Sequence, residues 1–450
     1  MSYKSRKLKK INTNRMPGAI KALGTLKYRI ILEGIVVGLL VGVVVSAFRF
    51  ALSQMDLLRN VLIGLAEPEE GSLLASHPEL FPWIGLAILA AIAVAVSMFV
   101  QREPYISGSG IPQVKGELMG RIKTEWLRVL LLKFFGGIMA IGSGLALGRE
   151  GPSIQLGAMV GKGFSRLSGR LKSEERLLIS AGAGAGLAAA FGAPLAGVVF
   201  VLEELRKDFD PKVLLSTMAA AVTSEYVASF VFGLEPVFAV FALSKPTLQD
   251  YWMILVLGLL LGGLGVLYNK AIAFSQDLQG MIRPRWLKAV IAIGAVVLVA
   301  LLCPECLGSG HHLVEETGFG LHTASTVALF LIVRFVYSVY SFGTGAPGGI
   351  FLPLLVLGAL AGGLFTLVVS PLAGLPVGNE AFYVILGMAG LFSAIVRAPL
   401  TGIILISEMT GTLSSLLPLS LVALISFLTA EVLDGEPVYD QLLERILSKK

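Results

Sequence analysis

Cysteine is nearly missing from this chain: there are two in 450 residues, Cys303 and Cys306. With no second pair, neither a disulfide framework nor a four-cysteine zinc site can be built. Charge is scarce as well, at 15% Asp, Glu, Lys and Arg, too little to clothe a soluble enzyme of this length. Acid is absent from residues 1–29, which carry nine Lys/Arg. Beyond them stand 27 basic against 30 acidic residues, so the net charge of +6 belongs to a local tail. That pattern fits cytoplasmic retention of the N-terminus and excludes a nucleic-acid-binding surface. A signal peptide is not evident either, because the first apolar run is too long for a signal core and lacks a small-residue cleavage site.

What fills the chain instead is apolar. Hydrophobic residues make up 55% and mean hydropathy is +0.81. Runs near the roughly 20 residues needed to cross a bilayer lie at about 30–52, 82–100, 127–147, 177–202, 213–233, 250–275, 286–303, 325–341, 350–371, 381–406 and 414–433. The expected fold is an all-α integral membrane protein. Loop 53–81 is acidic (Asp56, Glu67, Glu69, Glu70, Glu79 against Arg59), whereas 162–176 and 276–288 are richer in Lys and Arg; the acidic loop is expected outside and the basic segments inside. Glycine, 52 residues in all, falls largely within the runs, where it signals close helix packing or broken helices. Gly34, Gly38 and Gly42, and likewise Gly258 and Gly262, stand four apart, as helix contact faces do.

The chain also repeats itself. Ala193-Pro194-Leu195-Ala196-Gly197 recurs as Ala398-Pro399-Leu400-Thr401-Gly402 at an offset of 205, at which Gly182 meets Gly387 and Glu203 meets Glu408. At an offset of 201, Pro152, Gly157 and Ala158 meet Pro353, Gly358 and Ala359. Duplicated membrane halves with Gly/Pro-interrupted apolar pieces point to a substrate site near the midplane, hence to a transporter or channel. Periodicity leaves open whether the halves are parallel or inverted. The organisation expected is a basic cytoplasmic segment 1–29, a first repeat 30–235, a second 250–433, and a C-terminal cytoplasmic-side helix in 434–450 carrying Tyr439.

Three interruptions combine glycine with proline: Gly108-Ser109-Gly110-Ile111-Pro112, Gly148-Arg149-Glu150-Gly151-Pro152, and Gly345-Ala346-Pro347-Gly348-Gly349-Ile350-Phe351-Leu352-Pro353. Each reads as a turn that opens a helix at membrane depth. The N–H groups and positive dipole end of such a helix attract anions, so several converging ones favour a small anion over a cation. Gly182-Ala183-Gly184-Ala185-Gly186 lacks the dinucleotide spacing and reads as helix packing. No cofactor motif is found.

In order and spacing, these motifs, with the two Ala-Pro-Leu segments and Pro437-Val438-Tyr439, resemble the CLC family of chloride channels and chloride/proton antiporters, over roughly residues 30 to 447. The resemblance implies two inverted halves of broken, tilted helices, and a homodimer with a pathway in each subunit. It also implies a multi-pass protein of the plasma (bacterial inner) membrane with both termini cytoplasmic. Chloride would be bound by the Ser109 hydroxyl, the Tyr439 phenol and backbone N–H groups at Ile350 and Phe351, with Gly108, Gly110, Arg149 and Gly151 forming the backbone of the anion site. Glu150 would be the gating and external proton glutamate, and Glu204 the internal one. Ser109 and Tyr439 keep the chloride-type rather than the fluoride-type pattern. The cytosolic nucleotide-binding tandem domains of some members are not expected, since the chain ends soon after Tyr439.

Alternatives stand beside each assignment. Glu150 could pair with Arg149, Glu204 could be a solvated helix-end charge, and Lys133 could snorkel or be functionally buried. Gln113 replaces the acid common in bacterial members, and Lys115 follows it. The leading expectation is proton-coupled chloride antiport, with chloride, protons and the bilayer as partners. A passive chloride channel gated by protonation of Glu150 is the alternative. A third reading takes Cys303, Cys306, His311 and His312 as a zinc or redox sensor.

Overall fold

The computed structural model describes residues 16–63, 81–238, 251–282, 284–372 and 380–448. Much of the basic segment 1–29 and of the acidic loop 53–81 lies outside them. In chain order the helices are α1 (Met16–Leu62), α2 (Phe81–Arg102), α3 (Ile111–Leu118), α4 (Trp126–Gly142), α5 (Glu150–Leu167), α6 (Lys172–Phe191), α7 (Pro194–Phe200) and α8 (Pro211–Phe232). A second series follows: α9 (Tyr251–Met281), α10 (Arg285–Leu302), α11 (His311–Gly318), α12 (Ala324–Gly343), α13 (Phe351–Leu372), α14 (Glu380–Val396), α15 (Pro399–Thr410) and α16 (Leu416–Val432). An amphipathic α17 (Val438–Ser448) closes the chain. Among the described residues, seven helices are long and apolar enough to cross a membrane, and the protein is membrane-spanning and all-α.

Apolarity alone mislocates several breaks. The run 177–202 is two helices, because Gly192 turns left-handed (φ 68°) ahead of Pro194. The run 381–406 breaks in the same way, with Arg397 (φ 66°) ahead of Pro399. A non-glycine in that conformation is strained. Arg397 is held there by hydrogen bonds from its guanidinium to the carbonyls of Phe427 (3.2 Å) and Gly435 (2.7 Å) and to Glu431 (2.5 Å). Conversely, α1 runs ten residues past the first apolar run, into what the sequence reads as loop.

The two series match element by element. Short helices α3 and α11 each follow a single 3-10 turn, Pro104–Ile106 and Pro304–Cys306, and each starts after a left-handed glycine, Gly110 and Gly310. Small residues pack the pairs. A Cβ on Gly34, Gly38 or Gly42 would strike α8, at Ser216 O, Thr223 and Val227, while one on Gly258 or Gly262 would strike Ile425 and Thr429 of α16. Gly157 lies against Gly182, joining α5 to α6, and Gly358 against Gly387, joining α13 to α14. Inside a bilayer, where lipid is as apolar as a side chain, such backbone approach is what holds helices together.

Candidate functional site

A helix interrupted at membrane depth leaves backbone groups that must find partners within the protein. The three glycine-proline interruptions supply them to one another. Gly148 and Gly349 exchange N–H···O bonds at 2.7 and 2.8 Å, and the Gly348 N–H donates to the Gly108 carbonyl at 3.1 Å. Lys133, fully buried on α4, donates to the carbonyls of Ile106 (2.8 Å) and Gly108 (2.6 Å). Lys133 therefore does not snorkel; it fastens the Ser109 loop. Two segments 40 residues apart thus converge with a third some 200 residues further on, and with them the N-termini of α3, α5 and α13.

Ser109 is buried and lies against the backbone of Gly151. Its Oγ accepts the Ile111 N–H at 3.3 Å, which leaves the hydroxyl proton to donate elsewhere. Gly110, at φ 93°, makes the turn between them, and its missing side chain makes room for Gln155, which donates to the Tyr105 carbonyl at 2.8 Å. Ile350 and Phe351 are fully buried at the opening of α13, where the first N–H groups have no acceptor within the helix. Phe351 packs against Phe191, Phe200 and Phe392, and Phe200 in turn takes the Tyr439 ring edge-on at 6.5 Å. The Tyr439 hydroxyl is buried, and among the described residues it has no hydrogen-bond partner. A buried phenol donor in that condition calls for an acceptor, and an anion is one.

Glu150 is the first residue of α5 and fully buried. Its oxygens face the N–H groups of Glu150 itself and of Leu352, yet neither closes a full hydrogen bond. Arg149 Nε stands 4.0 Å from Oε1, so the pairing weighed from sequence is present at its longest reach, and it leaves both carboxylate oxygens without a hydrogen bond. The carboxylate lies where the N-termini of α5 and α13 meet, itself an anion at the place two helix dipoles make attractive to one. A cavity of ≈ 500 Å³ is lined by Ser109, Pro112, Gln113, Gln276 and Arg445.

Glu204 lies on the π-helical turn Val201–Arg206 that prolongs α7, with its side chain 2% exposed. That burial overturns the solvated-charge alternative. Lys115 Nζ donates to its Oε1 at 2.7 Å and also pairs with Asp440. Gln113, in place of the family acid, holds the Ser107 carbonyl at 2.8 Å. Neighbouring Glu203 points away from Glu204. It accepts the N–H groups of Leu400 (3.0 Å) and Thr401 (2.7 Å) at the start of α15, while Glu408, its counterpart in the repeat, accepts those of Leu195 (3.1 Å) and Ala196 (2.8 Å) at the start of α7. Each half caps the broken helix of the other.

The cysteine-histidine segment is the second copy of the Ser109 loop. Gly308-Ser309-Gly310 repeats Gly108-Ser109-Gly110 at an offset of 200, and Arg334 takes the place of Lys133, donating to the carbonyls of Cys306 (2.9 Å), Gly308 (2.8 Å) and Ser309 (2.8 Å). Cys303 and Cys306 are buried with their sulfurs 3.0 Å apart. His311 stacks on Phe238 at 4.6 Å and faces Glu315, while His312 is exposed. Among the described residues, no three His, Cys, Asp or Glu side chains are grouped as metal ligands. Sequence reasoning missed this second loop, Arg334, and the Lys115–Asp440 contact. The first two carried a signal, the offset near 200; the third carried none.

Residues 89–431 match the family described as voltage gated chloride channel. The chain is 36% identical over 437 residues to the H(+)/Cl(-) exchange transporter ClcA of Vibrio parahaemolyticus serotype O3:K6 (strain RIMD 2210633), covering 94% of this chain and 91% of that one. It is also 36% identical over 435 residues to ClcA of Klebsiella pneumoniae (strain 342), covering 94% and 89%. A crystal structure of a slow cyanobacterial Cl−/H+ antiporter superposes with a TM-score of 0.87 at 31% identity, over 94% of this chain and 99% of that one.

Proposed function

The chain belongs to the voltage gated chloride channel family, and from that premise we propose that it exchanges chloride for protons across the membrane. The observation that carries the reading is the Glu150 carboxylate, buried without a closed partner at the junction of two helix N-termini. Ionised, it competes with chloride for the same N–H groups. Protonated, it loses that attraction and yields the place. Chloride then rests on the Ser109 hydroxyl, the Tyr439 phenol and the amides at Ile350 and Phe351, with Gly108, Gly110, Arg149 and Gly151 shaping the approach. Neutral donors of this kind bind weakly enough for release. Glu204 takes up the proton from the inner side, and Tyr439 lies within electrostatic reach of both glutamates.

The buried Glu204 favours exchange over a passive channel gated at Glu150, because a channel has no use for a second costly intramembrane acid. The wider reading is of two inverted repeats, 30–235 and 250–433, in a homodimer of the bacterial inner membrane with cytoplasmic termini. The test is chloride and proton flux recorded together from liposomes holding the purified protein. A chloride gradient is expected to drive protons uphill in the native chain, and Glu150→Ala and Glu204→Gln to stop the protons while chloride still moves. Chloride flow without protons in the native chain would make it a channel.

A further inference from the structure

Glu204, the inner proton acceptor on the antiport reading, does not reach water by itself. Its side chain is 2% exposed, and the group against it is an ammonium, Lys115, itself 4% exposed. Lys115 also pairs with Asp440, whose side chain is 31% exposed and which takes Lys207 Nζ at 2.6 Å on its other oxygen. The four groups form a line from the buried carboxylate to the surface: Glu204, Lys115, Asp440, Lys207. They come from three places: the π-helical turn with the residue that ends it, α3 and α17. Two cations and two carboxylates leave the line neutral. Tyr439 precedes Asp440 directly, so one turn of α17 carries both a chloride ligand and the surface end of this line.

A lysine whose only task is to neutralise Glu204 needs no second carboxylate. We propose that Lys115 is a proton-relay residue that passes protons from Asp440 to Glu204; the inference rests on the antiport reading. A proton from inner-side water binds the Asp440 carboxylate. The Lys115 ammonium gives one proton along its 2.7 Å hydrogen bond to Glu204 Oε1, breaking N–H and forming O–H. The Asp440 acid returns a proton to Lys115 Nζ, breaking O–H and forming N–H. One proton has moved from water to Glu204, and both Lys115 and Asp440 are restored. Asp440 holds the proton only in passing, since two ammonium groups favour its ionised form. Lysine suits the task because a buried ammonium can release a proton, whereas a guanidinium does not.

The test uses that difference. Chloride-driven proton pumping and chloride efflux are recorded in the same vesicles for the native chain, Lys115→Arg, Lys115→Met and Asp440→Asn. Proton flux is expected to fall about a hundredfold in both Lys115 variants, the low end of what a positioned acid–base group contributes, and chloride efflux reports that the pore is folded. Native proton-to-chloride coupling in Lys115→Arg would overturn the proposal, leaving Lys115 as a counter-charge. If the buried variants do not fold, Asp440→Asn, altered at a partly exposed position, decides: a drop in the proton-to-chloride ratio supports the relay, and an unchanged ratio overturns it. A native chain that moves chloride but no protons overturns the antiport reading and the relay together, an outcome distinct from the failure of the relay alone.

Discussion

At the scale of single residues, the least expected side chain is Lys133, an ammonium with no exposure in a membrane helix. Its two carbonyl partners, Ile106 at the end of the 3-10 turn and Gly108 just beyond it, stand where no α-helix supplies donors. The ammonium supplies donors to the Ser109 loop, and Arg334 does the same for the Ser309 loop with three carbonyls. Removing Lys133 takes a donor from the Ile106 carbonyl, worth about 1–3 kcal/mol, and leaves Gly108 with the Gly348 N–H alone. Lys133→Met is therefore expected to lower the thermal midpoint of the detergent-purified protein and to abolish chloride-dependent stabilisation. A variant with a native midpoint in both chloride and chloride-free buffer would show that the loop holds itself. The adjacent glutamates make a second contrast. Glu203 caps α15 across the halves, so Glu203→Ala is expected to cost about 1 kcal/mol as cap removal does and to leave proton coupling intact. Glu204→Gln is expected to do the reverse. Thermal melts and coupled flux on the pair would separate the roles, and loss of coupling in Glu203→Ala would contradict the cap.

At the scale of helices, the breaks are where the sequence was most and least readable. Ala193-Pro194 and Ala398-Pro399 were visible as a repeat, yet the apolar runs around them read as single spans, because hydropathy does not register a left-handed residue. Gly192 could have warned of it; Arg397 could not, since its conformation is fixed by carbonyls 30 and more residues away. The three glycine-proline helix starts were legible because proline and glycine at a helix start have a local cause. The Lys115–Asp440 pairing was illegible because it joins α3 to α17 with nothing local to announce it. Helix contact faces were legible from spacing, and they carry a prediction. Gly182 and Gly387 each touch the backbone of a partner glycine, Gly157 and Gly358. Leucine at either should force α6 from α5, or α14 from α13, and sharply reduce the yield of folded protein. Leucine at Gly263, against which nothing packs, should be tolerated. Size-exclusion profiles of the three variants check this, and equal yields would mean the helices have room to shift.

At the scale of the molecule, α17 fastens the two series of helices to each other on the side of the ≈ 500 Å³ cavity. Asp440 binds Lys115 of α3 and Lys207, while Arg445 binds Asp277 of α9 at 2.7 and 3.1 Å. The helix is not one of the membrane-spanning segments, and the Asp440 side chain is partly open to water. Burial works to raise the Asp440 carboxyl, but the hydrogen bonds and charges of Lys115 and Lys207 outweigh it and hold the group below its ordinary value. A carboxylate depressed on folding contributes stability that is complete above its unfolded pKa, about 3.9, and that disappears only as pH falls through the lower folded value. The latch is therefore at constant strength across the neutral range. The drop in thermal midpoint caused by Asp440→Asn should be the same at about pH 5.5 as at about pH 8, because both lie above the window in which the group titrates. A drop that shrinks toward pH 5.5 would place Asp440 protonation inside the working range. With the latch flat, a pH dependence of transport between those values would have its origin at groups other than Asp440.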